Sequence, residues 1–167
     1  MHPRTVVTHS PEDTIAFGAQ LAGELEPPVL VLLLGDLGAG KTTLTKGIVA
    51  GLGAAPEEEV TSPTFTMIHE YGWAGRIPLV ARRRPEAPGS DSAAGAPVYH
   101  VDLYRVDTVR ELETLGIEDL LAERAVVIIE WGEKLGPALR PVAPGRVVEI
   151  YLTAAGENER RIEIKDA

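Results

Sequence analysis

The sequence predicts one α/β domain, a mixed parallel and antiparallel sheet flanked by helices, and three observations carry that prediction. Val29 to Leu34 is an unbroken apolar run followed directly by a glycine-rich loop and a helical pattern, the strand–loop–helix order of a parallel unit. Ala125 to Ile129 is a second, β-branched run of the kind buried on both faces of a sheet. Val147 to Leu152 and Arg161 to Ile164 flank the turn Gly156-Glu157-Asn158 as a closing antiparallel pair, with Ile162 and Ile164 on its inward face. A chain of 167 residues suits a single domain, 1–167, with one core.

The remaining elements follow in chain order. Ser10 is an N-cap, Pro11 takes the first helical position and Glu12 and Asp13 complement the helix dipole; Ile15, Ala19, Ala22 and Leu25 then mark an apolar face, and Pro27-Pro28 ends the helix. Thr43 to Leu52 has helical spacing through Leu44, Ile48 and Leu52, broken by Gly51 and Gly53. Ala54 to Val60 is a short acidic connection. Phe65 to Trp73 and Val98 to Leu103 alternate as strands, the second with Val101 and Leu103 on one side and His100 and Asp102 on the other. Between them, residues 75–97 are rich in Pro, Gly, Ala and Ser and carry Arg82-Arg83-Arg84; this predicts an extended, flexible hairpin loop. The basic triplet is first a solvated turn, with a partner or RNA contact as the alternative. Asp107 to Glu123 is helical, with Val109, Leu112 and Leu115 on one face, a break near Gly116, and a second short helix through Ile117, Leu120 and Leu121.

Composition excludes several classes of function. No run approaches the ~18 apolar residues of a membrane span, and the N-terminus lacks a basic stretch before an apolar signal core, so a cytoplasmic protein is expected. The chain has no cysteine, which removes thiolate metal sites and thiol nucleophiles. A formal charge of −9 opposes a broad electrostatic grip on nucleic acid, so any contact with RNA would be delivered by a partner.

The chemistry centres on Gly35-Asp36-Leu37-Gly38-Ala39-Gly40-Lys41-Thr42, a complete phosphate-binding loop between strand and helix. Its glycines let backbone N–H groups close around anionic oxygens, Lys41 offers a cation to the outer phosphates, and Thr42 offers a hydroxyl to Mg²⁺. The helix N-terminus adds its positive dipole end. The domain is therefore expected to be P-loop NTPase-like. Glu130 closes the strand Val126-Val127-Ile128-Ile129-Glu130 and is placed either to order Mg²⁺ or as an ordinary strand-end charge. Asp102 can activate or orient an attacking water. Thr64, within Thr61-Ser62-Pro63-Thr64, is either a γ-phosphate-sensing hydroxyl or part of a helix-to-strand turn. His69 and His100 can face each other across the hairpin, where a structural or surface role is favoured over half a metal site.

Taken together, the loop with Thr43, Ser62-Pro63-Thr64-Phe65, His100-Val101-Asp102-Leu103-Tyr104-Arg105 and Glu130-Trp131 closely resemble the TsaE (YjeE) family over nearly the whole chain. The resemblance implies an ATPase that works with the TsaB and TsaD proteins in threonylcarbamoyl modification of the adenosine beside the tRNA anticodon. It implies that Lys41 and the loop amides hold ATP, that Thr42 and Glu130 attend to Mg²⁺, that Thr64 belongs to a switch, that Asp102 supports hydrolysis, and that Glu133 lies near the nucleotide. The long 75–97 segment departs from the short turn usual in that family. Competing readings are a small P-loop kinase acting on a metabolite, for which Arg82-Arg83-Arg84 makes a poor lid, and a nucleotide-sensing assembly module. GTP is disfavoured because the Asn-Lys-x-Asp segment is absent and Asn158 is the sole asparagine.

Overall fold

In a computed structural model, described here for residues 2–74, 96–136 and 145–166, the chain forms a seven-stranded mixed sheet with helices on both faces. The strands are β1 (Arg4–Thr8), β2 (Val29–Leu34), β3 (Ile68–Ala74), β4 (Ala96–Asp102), β5 (Val126–Glu130), β6 (Arg146–Ala154) and β7 (Arg160–Asp166). Their order across the sheet is β1-β7-β6-β2-β5-β4-β3. Pairings β6-β2, β2-β5 and β5-β4 are parallel, and antiparallel partners are added outside them, β7 and β1 on one side and β3 on the other.

The central strands follow from their residue types. Every residue of β2 and β5 is buried, as a strand covered on both faces requires, and their β-branched and leucine side chains divide between two cores. Val29, Val31 and Leu33 with Val126 and Ile128 face α1 (Pro11–Ala22) and α2 (Lys41–Gly51). Leu30, Leu32 and Leu34 with Val127 and Ile129 face α3 (Val109–Thr114) and α4 (Ile117–Ala122). On β4 the same alternation puts Tyr99 and Val101 in the second core and leaves His100 and Asp102 on the α2 side.

Helix α1 begins as its residues dictate, with the Ser10 hydroxyl accepting from the Asp13 N–H at 3.0 Å. Its buried face differs from the expected one. Thr14, Phe17, Gly18, Leu21 and Ala22 are buried, Ile15 is half-buried and Ala19 is exposed. The cause is a close crossing with α2: a Cβ on Gly18 would lie 2.6 Å from the Leu44 carbonyl oxygen, and one on Gly47 would lie 2.0 Å from that of Ile15. Small residues at this contact let the two backbones touch, and that choice rotates α1 away from the stripe its larger side chains suggest. The helix also ends at Ala22 rather than at Pro27-Pro28, because Gly23, Glu24 and Leu25 close the last turn with N–H bonds to the carbonyls three residues back.

Other differences are local. Strand β1, of mixed burial, is not predicted by the sequence pattern. Strand β3 starts at Ile68 rather than Phe65, and Phe65 is exposed with the Arg105 guanidinium 4.1 Å from its ring centroid. The break at Gly116, which has φ +67°, separates α3 from α4, but Val109 opens α3 at its solvent end and is exposed. Ala96 and Pro97, expected in the long loop, belong to β4; residues 75–95, including Arg82-Arg83-Arg84, lie outside the described residues. No helix among the described residues is long and apolar enough to cross a membrane.

The crossing yields a stability prediction. Gly47→Ala places a methyl against backbone that cannot yield without parting α1 from α2, so a loss of about 2–3 kcal/mol is expected in urea unfolding, whereas Gly38→Ala, with no atom within 4 Å of the added Cβ, acts only through its positive φ.

A phosphate-loop cleft with two buried carboxylates

The loop that leaves β2 turns through Gly35, Gly38 and Gly40, all at positive φ, and Gly40, at +98°, opens α2. No side chain among the described residues caps that helix, so its first N–H groups point into the cleft as an anion site. The cleft has a volume of about 330 Å³. Its floor is Gly38, Gly40, Lys41, Thr42 and Thr43, with Leu37 at the rim, exposed. Gly35, Asp36 and Ala39 lie on the other flank of the loop, along a groove of about 260 Å³ beside Tyr151 to Ala154.

Lys41 is buried, and its ammonium donates to the carbonyl oxygens of Gly35 at 2.6 Å and Asp36 at 2.8 Å. The same ammonium lies 4.0 Å from the ring centroid of Trp131. Burial pulls Lys41 below the ordinary lysine value, and the negative charges of Glu130, Glu133, Asp102 and Asp36 oppose that fall.

Glu130 comes to the cleft because β5 runs parallel to β2 with Leu33 opposite Glu130. Its carboxylate is buried and accepts from the Thr42 hydroxyl, 2.9 and 3.0 Å from its two oxygens. His100 Nε2 lies 2.7 Å from Glu130 Oε1. Thr42 and Glu130 thus set a hydroxyl and a carboxylate face to face at the start of α2. This all-oxygen pair suits a hard divalent cation such as Mg²⁺. No group of three His, Asp or Glu residues among the described residues forms a separate metal cluster, and His69, paired with His100 in the β3–β4 register, contacts Tyr71 instead.

Asp102 sits opposite Glu130 on β4 and is also buried. Its Oδ2 accepts from the hydroxyls of Ser62 at 2.7 Å and Thr64 at 2.9 Å, and its Oδ1 accepts from the Tyr104 N–H at 2.8 Å. The Ser62–Thr64 segment is therefore both a turn into β3 and a pair of hydroxyls on the cleft wall. Glu133 is exposed, in the 3₁₀ turn Gly132–Leu135, and is not among the cleft-lining residues.

Five further side chains join the cleft that sequence spacing did not mark as site residues. Trp131, at φ +61°, follows Glu130 and turns its indole over Lys41, with the Tyr104 ring 5.2 Å away. Pro11 and Thr14 of α1 form part of one wall with Asn158. Arg160, at the start of β7, donates to the Gly38 carbonyl oxygen at 3.3 Å and lies beside Gly40. Only the dipeptide Glu130-Trp131 carried a sequence signal, since Arg160 reaches the loop through pairing with a strand distant in the chain.

The family model described as threonylcarbamoyl adenosine biosynthesis protein TsaE matches residues 8–162. The chain belongs to the TsaE family. Proteins named tRNA threonylcarbamoyladenosine biosynthesis protein TsaE from Bacillus subtilis and Treponema pallidum are 36% and 32% identical to it, over 93% and 95% of this chain and 80% and 97% of theirs. The TsaE protein of Haemophilus influenzae is 39% identical over 71% of this chain, a stretch spanning only 60% of that relative. A crystal structure of Bacillus subtilis YdiB superposes with a TM-score of 0.60 at 30% identity, covering 98% of this chain and 86% of that one, and the fold is P-loop NTPase-like.

Arg160 supplies the cleft wall opposite Ser62 and Thr64 with a positive charge. Removing a charged hydrogen-bond donor from an anion site costs roughly 1.5–3 kcal/mol, so Arg160→Ala is expected to weaken ADP binding by about tenfold or more in isothermal titration while leaving the ligand-free melting temperature nearly unchanged.

Proposed function

We propose that the chain is a Mg²⁺-dependent ATPase that acts with TsaB and TsaD in threonylcarbamoyl modification of the tRNA adenosine beside the anticodon. The observation that carries this reading is the convergence, in one cleft, of the loop's Lys41 and Thr42 with two buried carboxylates from neighbouring parallel strands, Glu130 and Asp102. A site that only bound anions would need the loop and its helix. Two desolvated carboxylates beside it repel phosphate and are retained where a cation and a reacting water are handled.

Roles follow from the contacts. The loop from Gly35 to Thr43 cradles the triphosphate, and Lys41 leaves the carbonyls of Gly35 and Asp36 for phosphate oxygens. Thr42 and Glu130 hold the cation through their facing oxygens. Bound there, Mg²⁺ supplies charge neutralisation on the outer phosphates. Asp102 holds Ser62 and Thr64 against the cleft, so a change at the γ-phosphate is passed to that segment through hydroxyls already bonded to a catalytic carboxylate. Glu133 contributes its charge near Lys41. Activity is weak in the isolated chain and rises with its partners, tRNA is reached through the complex because the chain carries −9, and the protein works in the cytoplasm as a single ATPase domain.

Two substitutions test the assignment. Lys41→Ala is expected to abolish tight ATP binding, whereas Glu130→Ala lowers Mg²⁺-dependent hydrolysis by about 10–100-fold with a smaller change in metal-free ADP affinity. Phosphate release from ATP and from GTP, with and without TsaB, TsaD and tRNA, is the measurement. Wild-type turnover in either variant, or phosphorylation of a metabolite without partners, would count against the proposal.

A further inference from the structure

Behind Glu130, outside the cleft lining, lies a buried polar side chain. His100 is wholly inaccessible, its Nε2 lies 2.7 Å from Glu130 Oε1, and its Nδ1 is buried with no hydrogen-bond partner among the described residues. Tyr71 stacks on the ring at 6.3 Å between centroids and 28° between planes, which fixes the imidazole's orientation. An unpartnered buried ring nitrogen costs roughly 1–3 kcal/mol, so a leucine would fill this core position more cheaply. The partnered nitrogen faces a carboxylate oxygen that already accepts from the Thr42 hydroxyl, which places the ring hydrogen on Nε2 and makes it the donor.

We propose that His100 is a positioning residue: its Nε2–H holds one oxygen of Glu130 so that the carboxylate stays turned toward Thr42 and a divalent cation between them. This rests on the reading of Thr42 and Glu130 as cation ligands. The contact fixes what strand geometry alone leaves free. The backbone of β5 delivers Glu130 to the cleft edge, but its side chain retains three rotatable bonds, and Thr42 reaches both carboxylate oxygens almost equally, at 2.9 and 3.0 Å. Thr42 therefore does not select one orientation. His100, rigid between Tyr71 and β5, touches Oε1 only and does select one. A ligating carboxylate is commonly oriented by such a donor behind it, and losing the donor typically weakens metal binding by ~10–100-fold without removing a ligand.

The test separates this role from plain core filling. Gln can place an amide N–H where Nε2 stands, whereas the Asn amide is too short to reach Glu130, although both are polar and smaller than His. With the full chain, Mn²⁺ as the cation probe and saturating ADP, electron paramagnetic resonance is expected to show about tenfold or weaker Mn²⁺ binding in His100→Asn and near wild-type binding in His100→Gln. ADP affinity in EDTA should be unchanged in both. Equal loss in the two variants, or wild-type Mn²⁺ binding in His100→Asn, overturns the inference. Should His100→Asn fail to fold, a folded His100→Gln that loses Mn²⁺ affinity by more than tenfold overturns it as well, since the donor is retained there. Glu130→Gln distinguishes the two levels: if it leaves Mn²⁺ binding intact, the cation site and this inference fall together, and if it weakens binding while His100→Asn does not, only the inference falls.

Discussion

The register of three adjacent parallel strands fixes the site. Leu33 of β2, Glu130 of β5 and Asp102 of β4 stand level, and the phosphate loop begins at Gly35, just past the same edge. A one-residue slip of β5 would turn Glu130 into the core beneath α3 and α4 and present an isoleucine to the cleft. A two-residue slip would keep the face but move the carboxylate about 6–7 Å from Thr42, beyond any hydrogen bond. What prevents both is apolar burial, because β2 and β5 are covered on both faces and neither has an exposed residue that would tolerate the shift. The chemistry thus depends on a core that takes no part in it.

Four ionisable side chains, Lys41, His100, Asp102 and Glu130, lie buried within this small volume, and the way each is satisfied matters. Lys41 does not pair with Glu130. It bonds to the backbone carbonyls of Gly35 and Asp36, while Glu130 bonds to a hydroxyl and an imidazole, and Asp102 to two hydroxyls and an N–H. A direct lysine–carboxylate pair in so dry a place would be costly to separate. Because Lys41 and the carboxylates take separate partners, phosphate oxygens can replace two carbonyls at Lys41 without first breaking a lysine–carboxylate pair. On the proposed function, this is what leaves the loop ready for a triphosphate.

The parts of the fold legible in the sequence were those coded by a continuous local pattern. Val29 to Leu34, Ala125 to Ile129 and the spacing of Leu44 and Ile48 are each fixed within a dozen residues, and the loop between them is a motif with a mechanism. The parts that were not legible depend on distant partners. Strand β1 is five residues of mixed polarity that become a strand only by pairing with β7, some 150 residues on. The buried face of α1 departs from its apolar stripe because Gly18 and Gly47, which carry no hydrophobic signal, set the helix crossing. Strand β3 starts late because Ser62 and Thr64 are held by Asp102, which keeps the chain turning through Phe65. At the cleft, Lys41, Thr42, Glu130 and Asp102 were each suggested by their place at an element's end, whereas His100 and Arg160 gained their contacts only through sheet pairing.

Architecture and chemistry divide along the same line. The parallel core, β6-β2-β5-β4, supplies the floor of the cleft and both carboxylates, as a sheet whose ligands gather at its carboxyl edge should. The antiparallel additions supply the walls. The approach to β3 carries Ser62 and Thr64 on one side, and the β6–β7 turn carries Asn158 and Arg160 on the other, closed by the first turn of α1. Walls built on the turns and approaches of these antiparallel pairs can vary in length and sequence without disturbing the register beneath them, because the β2-β5-β4 ladder that sets Leu33, Glu130 and Asp102 level is hydrogen-bonded independently of those turns. The same independence explains how the β3–β4 connection can lengthen to span residues 75–95 while His100 and Asp102, on the strand that follows it, keep their contacts with Glu130 and Ser62.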